Sequence, residues 1–157
     1  MRAGKKTLAM AIALSVVLMA PTATAGGAQV TKGSFTTFAD GPNLGYEIDG
    51  KAQMVRTADG KTLVTVNVSG LSPGATYGSH VHNQACADDN AGGHYRFDAP
   101  VPGGDLDGHE IWPGPFTANA AGNAKGKATV AATAGAEAVS VVIHAPSGQK
   151  IACADLS

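Results

Sequence analysis

Residues Lys51–Ser69, KAQMVRTADGKTLVTVNVS, decide the fold class. Val64, Val66 and Val68 alternate with Thr65, Asn67 and Ser69, the period of two that a half-buried strand requires, and Asp59-Gly60 supplies the turn of a hairpin. One face of this hairpin is expected to be buried and the other wet. A second alternating run, Val139, Val141 and Ile143 against Ala138, Ser140, Val142 and His144, predicts another half-buried strand. Shorter strands are expected over 33–38, 76–82, 116–118, 124–131 and 150–154. Turn residues such as Ser72-Pro73-Gly74 and Ala121-Gly122-Asn123 separate them. Many short strands punctuated in this way predict an all-β sandwich or barrel. The Ala-rich stretch 124–138 is no helix, because Gly126 and Gly135 interrupt it and no 3.6-residue apolar stripe runs through it.

Regular patterning stops between Asn83 and Pro115. These 33 residues contain 6 Gly, 4 Pro and a cluster of acids, and a long irregular segment in a small domain is usually functional. Residues 26–32 are expected to form a loose lead-in. The Asn67-Val68-Ser69 glycosylation triplet lies inside a predicted strand and carries no weight. A chain of 157 residues suits one compact domain.

The first 25 residues have a separate purpose. Arg2, Lys5 and Lys6 precede an apolar stretch of 14 residues, Thr7 to Ala20, followed by Pro21 and Ala23-Thr24-Ala25. This is the form of a secretory signal with an A-x-A cleavage site, and 14 residues are fewer than the roughly 20 that cross a bilayer. The expected organisation is therefore a signal over 1–25 and a domain over 26–157, secreted or periplasmic, without a stable membrane anchor. Residues 26–157 carry 8 Lys/Arg and 12 Asp/Glu, a formal charge of −4 (8 − 12). With no basic face and 5% aromatic residues, nucleic-acid binding is excluded as a leading class. Export also bears on Cys86 and Cys153, the two cysteines of the chain. In an oxidising compartment they are expected to form one disulfide rather than stay as buried free thiols.

All five histidines lie between positions 80 and 144. On a strand, His80 and His82 share one face, close enough to chelate one metal ion, while Val81 points into the core. His144 ends a strand whose apolar residues point the other way. His94 lies in the Gly-rich segment after Cys86, which a Cys86–Cys153 bridge would tie to the sheet. Four imidazoles without a thiolate suit copper or zinc, and the Irving–Williams order favours copper.

Gly78-Ser79-His80-Val81-His82, Cys86, Gly92-Gly93-His94-Tyr95, Ser140-Val141-Val142-Ile143-His144-Ala145 and Ile151-Ala152-Cys153, in that order, resemble the signature of the copper/zinc superoxide dismutase family. The resemblance covers most of residues 26–157. It implies a Greek-key β-sandwich or barrel of about eight antiparallel strands with a long disulfide-tethered loop, and one copper per chain. His80, His82 and His144 resemble the copper ligands, His94 the histidine able to bridge copper and zinc, and Cys86–Cys153 the family disulfide. Lys150 stands where the family usually has an arginine that guides superoxide to copper, and Arg96 is a possible second attracting charge. His94 would be the proton carrier.

The chain also departs from the family. Of the remaining zinc ligands only His109 matches, Trp112 occupies the position of the zinc aspartate, and no third histidine lies between His94 and His109. Asp98, Asp105 and Asp107 have no spacing that defines a replacement. Only Pro146–Gln149 connect the last two strands, so the long electrostatic loop is missing. Both losses resemble the secreted bacterial copper-only branch, in which a carboxylate takes the place of zinc. Glu110 is the first candidate for that carboxylate and His109 the second candidate as partner of His94. The expected activity is dismutation of superoxide to oxygen and hydrogen peroxide. The alternative is a secreted copper-binding or copper-buffering protein on the same scaffold.

Overall fold

A computed structural model describes residues 26–39 and 41–157; the expected export signal over 1–25 lies outside the described residues. The strands are β1 (Gln29–Ser34), β2 (Thr36–Thr37), β3 (Asp49–Arg56), β4 (Thr62–Ser69), β5 (Thr76–His82), β6 (Phe116–Thr117), β7 (Ala124–Val130), β8 (Ser140–His144) and β9 (Lys150–Asp155). They form two antiparallel sheets, β1-β3-β4-β7 and β2-β9-β8-β5-β6. The chain leaves the first sheet after β4, returns for β7 to pair with β4, and crosses again for β8 to pair with β5. These long returns are Greek-key connections, and the fold is an open-edged sandwich rather than a closed barrel. No helix among the described residues is long and apolar enough to cross a membrane.

The expected hairpin is β3–β4, in register from Asp49↔Ser69 to Arg56↔Thr62. Gly60 takes φ 81° at its turn, a conformation that costs glycine nothing. Val64, Val66 and Val68 are buried with Ala52 and Met54, while Asn67 faces water. This apolar face packs on Tyr77, Val81, Val141, Ile143 and Ile151 of the second sheet in one core, the alternation of a two-layer sandwich.

Three expectations need correction. Residues 26–32 are not all lead-in, because Gln29–Ser34 pairs with β3 along its whole length, and Lys32 exchanges backbone hydrogen bonds with Ser157. The strand has no buried face of its own, so its sequence carries no apolar alternation and neighbouring backbones recruit it. At Phe35, which is buried, the chain passes from the first sheet to the second, and the single strand expected over 33–38 becomes β1 and β2. The third correction concerns β8, expected to be half-buried. Ser140, Val141, Val142 and Ile143 are all buried. Val142, on the outer face, packs with Ala91 and Cys153 under the segment that the disulfide ties down.

Candidate metal centre

The outer face of β5 and β8 carries the site. Tyr77, Ser79 and Val81 turn inward, while Gly78 pairs with His144, His80 with Val142 and His82 with Ser140. His80, His82 and His144 thereby share the outer face by the strand period alone. The Asn83–Pro115 segment adds the fourth histidine. Asn83 N–H donates to Gly93 O and Tyr95 N–H to Val81 O, and a single bridge pairs His82 with His94. This segment also contains a short ladder in which Arg96 opposes Glu110 and Phe97 N–H donates to His109 O.

His80, His82, His94 and His144 each offer a ring nitrogen within 4.8 Å of the others. Their partners fix the tautomers. His82 Nδ1 bonds Ala91 O at 3.1 Å, His144 Nδ1 bonds Gly148 O at 3.1 Å, and His94 Nδ1 lies 2.6 Å from Glu110 Oε2. All three acceptors require Nδ1 to carry a proton, so in the neutral rings of His82, His94 and His144 the lone pair lies on Nε2. The Nε2 atoms of His82 and His144 stand 3.4 Å apart, two lone pairs facing each other with no proton between them. His80 Nδ1 is buried and has no hydrogen-bond partner. Converging lone pairs and an unpartnered buried nitrogen are what a cation satisfies, so the residues present fit a metal ion. Cys86 and Cys153 are joined in a disulfide, and the cluster is therefore all-imidazole.

Burial first, and then the charges that neighbouring histidines would carry, push both His80 and His82 down to about 3. Burial likewise lowers His144. His80 and His82 are thus neutral and ready to ligate through the mildly acidic range. Stability follows the same shifts. Between about pH 3 and the ordinary histidine pKa near 6.5, the unfolded chain takes up protons that the folded chain refuses. The stabilisation is complete above pH 6.5 and is lost as pH falls towards 3. The metal-free protein should accordingly lose on the order of a few kcal/mol through the wholly buried His82. Its thermal midpoint, measured from pH 7 to 4, should fall steadily; a flat profile would contradict the burial argument.

Glu110 is buried and takes three donors: His94 and Trp112 Nε1–H, the latter at 2.7 Å, on Oε2, and Arg96 Nη1 on Oε1. Burial raises its pKa, but hydrogen bonds from Trp112, His94 and Arg96 outweigh burial and hold the carboxyl below its usual range. Asp105 Oδ1 accepts the backbone N–H groups of His109 and Glu110, fixing the turn that presents Glu110. His109 lies outside the cluster, and its Nδ1 bonds Phe97 O at 2.8 Å. No group of three ligands among the described residues includes His109, Asp98, Asp105 or Asp107.

Lys150 Nζ donates to Asn90 O at 2.7 Å and Gly92 O at 2.6 Å. Its charge reaches His82 and His144, where it opposes protonation. Arg96, expected from sequence as a second attracting charge, is engaged by Glu110. A cleft of about 650 Å³ lined by Asn83, His94, Arg96, Asp98 and Glu137 borders His94 and none of the other three histidines. Sequence reading gave no role to the carbonyls of Ala91 and Gly148 or to the Trp112 indole. The carbonyls leave no trace in residue identity, but Trp112, two residues after Glu110 in an extended segment, shares its face by simple alternation. Compared with protein-family models and with curated proteins, the chain matches none.

Proposed function

We propose that the protein is an extracytoplasmic superoxide dismutase that holds one copper through His80, His82, His94 and His144 and has no zinc site. The observation that carries this reading is the set of four imidazoles with ring nitrogens within 4.8 Å of one another, three of them bonded through Nδ1 so that Nε2 is the free nitrogen. Bound there, copper supplies a one-electron couple through which two superoxide anions and two protons give one oxygen and one hydrogen peroxide. The disulfide supports an oxidising compartment, secreted or periplasmic.

The chain's own residues supply orientation, charge and protons. Glu110 holds His94 by Nδ1 and leaves Nε2 facing the cluster, the atom at which a proton would be carried to the reduced oxygen. Lys150, pinned by two carbonyls, places a fixed positive charge beside His82 and His144. At physiological salt the Debye length is about 8 Å, so this nearby charge outweighs the dispersed negative charge of the domain for an arriving anion. An ammonium lacks the planar fork of a guanidinium, so it attracts the anion without clamping it.

The test is superoxide decay by pulse radiolysis on the disulfide-bonded protein loaded with copper alone, normalised to copper per chain. The expected rate lies near the diffusional ceiling, on the order of 10⁸–10⁹ M⁻¹s⁻¹, and is unchanged by added zinc. Tight copper with decay no faster than buffer would instead make the protein a copper binder or buffer on this scaffold.

A further inference from the structure

Trp112, the one tryptophan of the chain, touches the site in two ways. Its ring centroid lies 4.5 Å from that of His80, tilted by 41°, and its Nε1–H donates to Glu110 Oε2 at 2.7 Å. The same oxygen accepts His94 Nδ1–H.

Trp112 is the one non-histidine ring packed on His80, beside His94 at 4.1 Å and His144 at 4.6 Å. His82, His94 and His144 are oriented by hydrogen bonds from Nδ1, whereas His80 Nδ1 has no partner. The His80 ring plane is therefore set by packing, with Trp112 against one side and Gly78 close by, where an added Cβ would already stand 3.6 Å from His80 Nε2. Glu110, for its part, has two donors besides His94. The Arg96 side chain is 51% exposed, and an ion pair open to water holds geometry weakly. The indole N–H comes from a half-buried side chain and binds the very oxygen that orients His94.

We propose that Trp112 is a positioning residue of the metal centre, holding His80 in place by its ring and His94 in place through Glu110 by its N–H. The inference rests on the reading of the four histidines as a copper site. It also deepens that reading, since a neutral indole and a carboxylate orient here what a second metal ion would otherwise orient.

Two variants separate the contacts. Trp112→Phe keeps a ring over His80 and removes the N–H, whereas Trp112→Ala removes both. In metal-free protein, exchange of the His94 Nδ1 proton with solvent, followed by nitrogen-15 NMR, should be about tenfold faster in Trp112→Phe, the effect of one lost hydrogen bond. Copper(II) affinity, measured by competition with a chelator, should fall about tenfold in Trp112→Phe and about 100-fold in Trp112→Ala, the range for losing groups that orient ligands. The copper electron paramagnetic resonance spectrum of Trp112→Ala should broaden as the His80 ring gains freedom. Wild-type proton lifetime and affinity in both variants would overturn the proposal. Should neither variant fold, the wild-type indole N–H decides the matter: exchange as fast as that of a solvent-exposed indole overturns it, and protection upholds it. A wild-type protein that binds no copper would sink the copper reading, while the exchange measurements still judge the grip of Trp112 on Glu110 and His94.

Discussion

His82→Ala should lower copper affinity by more than about 100-fold, beyond the loss expected from removing a group that merely orients a ligand. Of the four histidines, His82 is the one wholly shielded from solvent. Its ring is anchored by Ala91 O, its Nε2 faces that of His144 at 3.4 Å, and it sits at the bridge that joins β5 to His94. Removing it takes away a neutral ligand already fixed in place, and no nearby side chain can substitute, because Cys86 and Cys153 are disulfide-bonded and His109 lies outside the cluster. His109→Ala is the matched control, with affinity expected to stay within about twofold since it lies outside the cluster. Chelator competition on both variants decides the point. Equal affinity in His82→Ala and wild type would mean that the metal is held elsewhere.

The effect is large because of how the ligands are built, and this also explains how much of the site the sequence discloses. His80 and His82 are legible because a strand has a period of two, and nothing in the tertiary structure disturbs their common face. His144 is legible for the same reason, although its strand is more buried than the alternation of Val141 and Ile143 implies. What covers Val142 is the distant segment around Ala91, and no local pattern reveals a lid that a disulfide brings from 67 positions away. Glu110 is readable as a carboxylate near His94 only through family resemblance, since sixteen positions of Gly/Pro-rich chain define no geometry by themselves. The ladder that juxtaposes them, with Arg96 opposite Glu110, depends on Asp105 capping two backbone N–H groups. β1 was illegible for the opposite reason: it buries no apolar face, so pairing rather than patterning makes it a strand.

Breaking the disulfide should damage stability and the metal centre together. In the Cys86→Ser/Cys153→Ser protein, opening a loop with sequence separation 67 should remove about 4 kcal/mol by loop-closure entropy, visible as a fall of about 10–20 °C in thermal midpoint. The local consequence is more specific. Asp89, Asn90 and Ala91 all lie in the left-handed region, with φ of 46°, 52° and 65°, and each such residue costs roughly 1–2 kcal/mol against an ordinary helical conformation. The turn is held against this strain from several sides. Cys86 is bonded to Cys153 and its N–H donates to Asp155 Oδ1, Lys150 grips Asn90 O and Gly92 O, and Ala91 packs on Val142 and Cys153. Without the bridge the turn can relax towards right-handed geometry, and Ala91 O then leaves His82 Nδ1. Copper affinity should fall about tenfold or more, as when other groups that orient a histidine ligand are lost, and Lys150 should lose its fixed place beside the cluster. Reduced wild-type protein should match the double variant in both measurements. A lower midpoint with unchanged copper affinity would show that the bridge stabilises the domain without shaping the site; a fall in both would show that the strained turn is what keeps His82 in its ligating tautomer.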